Sequence, residues 1–268
     1  MNQFLASTKF QAGIGGVVSM LILFLWQFTY PYGCTALLFP FVFLLLIGRG
    51  QFEYVHHRKI YTANFLFKKE SFFHAFLTRK PLVFIYAGAF SFVYAVSLTS
   101  FVALAESREW LFLALNTILV VILYPFLLYK CEKHAAVGMA SIMAKRLVVF
   151  ISFTIMVVVY VSISFYSHPP SYLDIESISN TLNIASQSVM STCSIINLYI
   201  KMVQEVTATI WFNMVAHTEM LRYPPLQFLA WAFFFLNSAL VFLAMSRMTV
   251  ELIALCTRIM RRAEETEP

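Results

Sequence analysis

The sequence predicts an all-α polytopic membrane protein. Six transmembrane helices cross with both termini inside, and an amphipathic or re-entrant helical segment lies on the outer side between helices 5 and 6. Three observations carry this reading. The 268 residues are 60% hydrophobic and 12% charged, about half the ~25% charge of a soluble domain. The mean hydropathy is +0.76. Segments without Asp, Glu, Lys, Arg or His recur six times at close to the roughly 20 residues that span a bilayer.

These segments are 11–30, 34–48, 81–104, 110–129, 147–166 and 225–246. The first is expected to be a retained helix, because no small-residue cleavage motif follows it. The second is short, and the turn Pro31-Tyr32-Gly33 joins it to the first. That linkage makes a tight hairpin whose short arm tilts little or thins the bilayer. The third carries Ala87, Ser91, Ala95 and Thr99 at four-residue spacing. Small residues on one ridge let a neighbouring helix approach closely where hydrophobicity cannot drive association. Ala12 and Gly16 begin the same pattern on the first span. Asn116, Asn237 and Ser238 read as interhelical hydrogen-bonding groups. The whole chain is expected to form a single transmembrane helical domain.

Orientation follows from the cations. With the N-terminus inside, sixteen of the 19 Lys and Arg fall on inner segments, leaving only Arg108, Lys201 and Arg222 outside. The 13 acidic residues divide almost evenly, as expected when positive charge alone is sorted. This bias fits a bacterial inner membrane best, with a eukaryotic endomembrane as the alternative.

The stretch 193–216 is apolar but carries Lys201 and Glu205 near its middle. Each charge costs roughly 2.5–3.5 kcal/mol at a helix centre on the insertion scale. A seventh span there would also turn the arginine-rich segment after 246 outward. Segment 167–224 is therefore expected outside. Asp174 or Ser171 is placed to cap its first helix, and Tyr223-Pro224-Pro225 ends it. Asn197, Lys201, Gln204 and Glu205 cluster on one side of a helical wheel, opposite Ile196, Tyr199, Ile200, Val203 and Val206. They form a candidate outer polar patch. Lys201 and Glu205 read either as a solvated i,i+4 pair or as polar residues lining an exit path.

Residues 49–80 are expected to form a cytoplasmic loop in which cations alternate with Phe and Tyr. Arg58, Lys59, Lys68, Lys69, Arg79 and Lys80 would face the anionic inner leaflet, with rings at the interface, or form a dock for a cytoplasmic partner. Nucleic-acid binding by stacking is the weaker reading, and no nucleic-acid partner is expected.

Cys34, Cys131, Cys193 and Cys256 show no zinc-like spacing. Isolated cysteines in apolar surroundings act as small hydrophobes, although Cys34 and Cys193 can pair if both face an oxidising compartment. His56, His57 and His74 lack a completing ligand at a recognisable interval. No metal or cofactor is expected.

No Asp, Glu, Lys, Arg or His lies within a predicted span, so no proton relay or intramembrane cation site is evident. Interrupted helix pairs of the inverted-repeat kind are missing, as is a Walker motif. Three functions remain. The first is a non-catalytic membrane subunit of a transport or secretion assembly, an oligomer with protein partners. In layout the chain is also similar to the permeases of ABC-2 exporters: comparable length, six spans, both ends inside, and short outer helices before the last span. That resemblance implies a separate cytoplasmic ATPase coupled to the loop between spans two and three. The third is a lipid-modifying enzyme with Glu205, His217 and Glu219 as the only outer candidates.

Overall fold

The computed structural model describes residues 2–68, 71–72, 79–135, 139–165, 170–218 and 223–266. For 2–7, 62–64, 165, 237–238 and 261–266 the description is confined to the backbone. The described chain is all-helical. In order come α1 (Asn2–Thr29), a 3-10 turn (Cys34–Leu37), α2 (Leu38–Leu66), α3 (Lys80–Ala103) and α4 (Ser107–His134). They are followed by α5 (Ala140–Phe165), α6 (Ile178–Gln187), α7 (Ser194–Thr218) and α8 (Pro224–Thr266). Among the described residues, six helices are long and apolar enough to cross a membrane: α1 to α5 and α8. The α7 helix does not qualify.

Local chemistry accounts for several boundaries. Glu106 and Glu109 form a reciprocal capping box at the start of α4, satisfying amides that the first turn leaves open. Pro81 follows the N-cap Arg79 closely, where a missing N–H costs nothing. At α6 the cap is Ser177, whose Oγ accepts from the Asn180 amide at 3.2 Å. Neither Asp174 nor Ser171 takes that place. Asp174 instead shapes the preceding turn, accepting from Asn180 Nδ2 at 2.6 Å and from the Glu176 amide at 3.1 Å.

The longest overruns of the predicted segments lie at one end. The α2 helix continues to Leu66 and α8 to Thr266, so the start of segment 49–80 is helix, not loop. The short second arm is therefore part of a 29-residue helix. Both extensions lie at the end opposite the 30–36 turn.

The hub is α8, which packs against α1, α2, α3, α4 and α5. Close approach depends on glycine at two places. A Cβ on Gly15 would lie 2.7 Å from the Ile253 Cα of α8, and one on Gly16 would lie 2.5 Å from Val121 Cγ2 of α4. The ridge Ala87, Ser91, Ala95 and Thr99 is buried, and a Cβ on Gly48 of α2 would stand 3.7 Å from Ser91 Oγ. Phe112, Tyr160 and Phe242 interlock edge-to-face, with Tyr160 5.3 Å from each of the other rings. Across this apolar core run a few polar ties. Ser152 donates to Ser246 Oγ at 3.0 Å, Ser246 donates to Asn116 Oδ1 at 3.0 Å, and the Ser19 and Thr249 hydroxyls lie 2.9 Å apart. The side chains of Asn237 and Ser238 lie outside the described residues.

The end with the 30–36 turn is closed by α6 and α7. A Cys34–Cys193 disulfide joins the hairpin turn to the start of α7. Beside it the Thr192 amide donates to Pro31 O at 2.9 Å and Ser191 Oγ donates to Tyr30 O at 2.7 Å. Further along α7, Tyr199 OH donates to Val96 O of α3 at 2.7 Å. Trp211 packs on Trp231, Phe234 and Phe235 of α8. The α7 helix thus touches the 3-10 turn before α2, α3's end and α8's start, lying across one end of the bundle.

Candidate functional site

The strongest concentration of buried charge sits at the opposite end, where α2, α5 and α8 converge. Lys145 of α5 places Nζ 2.9 and 3.0 Å from the two Glu251 oxygens of α8, and 3.2 Å from Glu53 Oε2 of α2. The side chains of Lys145 and Glu251 are 9% and 6% exposed, so each ion depends on the other. Arg258, on the outer turn of the same network, lies 3.6 Å from Glu53 Oε1. Burying these ions is costly unless they are paired and hydrogen-bonded, and here one ammonium bridges three helices.

Next to this network is a cavity of about 230 Å³. Its floor is α8 (Leu243, Arg247, Val250), and its sides are α2 (Ile47, Gln51, Tyr54) and α5 (Ile142, Val149, Phe150). The two sides are joined across the gap by Lys145 with Glu53 and by the Arg146 guanidinium, 4.9 Å above the Tyr54 ring. Arg247 donates from Nη1 to Gln51 Oε1 and lies 5.2 Å over the Tyr94 ring of α3. Its Nε is buried without a hydrogen-bond partner. Gly50 lets α2 come this close, since a Cβ there would fall 2.6 Å from Glu251 Oε1.

These residues escape a segment-based reading. Lys145 and Arg146 immediately precede the fifth apolar segment, Arg247 immediately follows the sixth, and Glu251 comes one turn later. As flanks they count as orientation signal. Their four-residue spacing on α8, beside a Lys-Arg pair at another span's start, is the pattern that marks them as partners.

The sequence-derived candidates are scattered. In the outer patch, Gln204 is buried with Ile196, Ile200 and Ala208, Glu205 is exposed, and Asn197 and Lys201 are half-buried. Among the described residues Lys201 and Glu205 make no ion pair within 4.0 Å. The opposite side of α7 exposes Ile195, Leu198, Met202 and Val206. The four polar residues therefore do not share one wet surface. Tyr199 is the polar residue of α7 that makes the inward contact, and burial raises its phenol pKa above the ordinary value.

Of the candidate docking residues in 49–80, Arg58, Lys68, Arg79 and Lys80 are exposed. Lys59 Nζ lies 5.4 Å from the Tyr86 ring centroid. Lys69 and His74 fall outside the described residues, as does Glu219. Glu205 and His217 are both exposed, and at 1.5 Å per residue about 18 Å of helix separates them. They do not converge on one reacting centre. Among the described residues no group of three His, Cys, Asp or Glu is placed to hold a metal ion.

No family model, curated protein or solved structure matches this chain.

Proposed function

We propose that this chain is a non-catalytic integral membrane subunit of a multi-component transport or secretion assembly in a bacterial inner membrane, with the disulfide end outside. The observation that carries the reading is the overrun of α2 and α8. At 1.5 Å per residue α8 is about 65 Å long, more than twice the ~30 Å hydrocarbon core. It and α2 leave the bundle on the same side, bearing Arg58, Lys59 and Arg258. Such a helical platform supplies a contact surface beyond the headgroups. The cation distribution supports the orientation. So does the Cys34–Cys193 bond, because disulfides persist in oxidising compartments.

The test is purification of the tagged chain from its native membrane in mild detergent, with identification and quantification of whatever accompanies it. The expected result is a partner in fixed stoichiometry that is lost from an R58A/R258A variant whose disulfide is intact. A homogeneous chain without a partner overturns the reading.

A permease half-unit similar in layout to ABC-2 exporters is the second reading. The observation favouring it is the pair α6 and α7 between the fifth and sixth spans, packed across one end. A cytoplasmic ATPase in equal amount would select this reading over a structural subunit. Proton-motive or secretion components would select the other.

A further inference from the structure

We infer that the cleft between α2 and α5 is a binding site for the phosphate headgroup of an anionic phospholipid from the leaflet at that end.

The charge balance is the first argument. Arg49, Lys145, Arg146, Arg247 and Arg258 stand around two carboxylates, Glu53 and Glu251. Both carboxylates are already engaged, Glu251 by Lys145 and Glu53 by Lys145 and Arg258. Arg146 and Arg247 make no ion pair among the described residues. Arg247 has the buried, unpartnered Nε described above, a donor that the protein leaves without an acceptor. A guanidinium binds phosphate oxygens through its fork of N–H groups.

Depth is the second argument. Arg247 stands about 35 Å along α8 from Pro224, and Lys145 about 30 Å along α5 from Phe165, at 1.5 Å per residue. Across a ~30 Å hydrocarbon core these lengths put the cations at headgroup level. The cleft walls grade accordingly. Ile47, Val149, Phe150 and Leu243 lie on the side toward the bilayer interior, and Gln51, Tyr54 and Arg146 lie on the other. An acyl chain fits the first group and a phosphodiester the second.

Access is the third. The sides α2 and α5 each pack on α8, and the cavity lies between them. Phe150 at its edge is 66% exposed and faces where lipid would be. A basic pocket between spans is the chemistry that selects anionic over zwitterionic lipid.

The experiment is native mass spectrometry of the purified full chain titrated with phosphatidylglycerol, with phosphatidylcholine, and with sodium phosphate. One phosphatidylglycerol per chain is expected at concentrations where phosphatidylcholine does not bind. R146Q should weaken that binding about fivefold, the equivalent of the roughly 1 kcal/mol carried by one near-surface cation. R247Q should weaken it at least as much and R247K less. Arg146 is exposed, so R146Q tests the site even where R247Q fails to fold. K133Q, a cation removed from the same end outside the cleft, should bind like the parent. Equal retention of both lipids overturns the site, as does equal weakening by K133Q. Displacement of phosphatidylglycerol by millimolar inorganic phosphate, with phosphate itself retained, overturns the lipid assignment in favour of a free anion.

Discussion

The Lys145 ammonium faces both carboxylate oxygens of Glu251 at 2.9 and 3.0 Å, across 106 residues of sequence. Neither side chain has water to fall back on. Replacing Lys145 by Met should therefore cost about 3–5 kcal/mol, the usual penalty for stranding one member of a buried pair. The double variant K145M/E251L should recover most of that loss, because an apolar pair needs no compensation. Thermal unfolding in detergent distinguishes the cases. Equal loss in single and double variants would show that the pair is not the unit of stability.

Gly15 and Gly13 stand two residues apart on α1 and should respond oppositely to alanine. A Cβ on Gly15 meets the α8 backbone at 2.7 Å, whereas nothing lies within 4 Å of one on Gly13. G15A should lower stability by roughly 1–3 kcal/mol through overpacking. G13A should be neutral or gain up to about 1 kcal/mol from helix propensity. Melting curves of the two variants read the difference directly.

C34S or C193S should loosen the attachment of α7 more than the bundle. Disulfides contribute typically about 2–4 kcal/mol, and this one anchors α7 where the neighbouring ties are two hydrogen bonds to Tyr30 and Pro31. Hydrogen exchange should rise in 189–200 while α4 and α5 stay protected. Uniform loss of protection would place the disulfide in the global fold instead.

Asp174 gives a pH signature on the same face. The Asn180 side chain first, and the Glu176 amide second, hold its carboxyl below the usual aspartate range. The folded pKa is lower than the unfolded one, so the contribution is present above about pH 4 and is lost as pH falls through the lower folded value. Protection of the Glu176 amide, taken relative to its intrinsic exchange rate at each pH, should fall in that acid range. D174N should remove the pH dependence of that protection.

Much of the membrane domain is legible in the sequence because a bilayer imposes length and polarity on each span separately. Residues 110–129 need no neighbour to be recognised. The helix ends at the basic side are less legible. Segment 49–80 mixes Phe, His and Arg without a clean period, and α2 passes through its start to Leu66 because backbone bonds continue past the apolar stretch. The cleft is less legible still. Gln51, Lys145 and Arg247 become neighbours only through the packing of α2 and α5 on α8, and that packing turns on glycines and buried faces from distant parts of the chain. Gln204 shows the same effect on a smaller scale. Its wheel position is polar, but its contacts with the bundle are decided by where the Cys34–Cys193 tether sets α7.

That tether also makes the polypeptide a ring with two tails. Residues 34–193 form one closed covalent circuit that passes through four of the six candidate spans. A single protease cut anywhere on the circuit opens it without releasing a fragment, so a nicked molecule migrates at full mass until a reductant is added. A cut in either tail sheds a piece at once. Gel mobility with and without reductant thus reports which connections are accessible from each side of the membrane, with no label and no antibody.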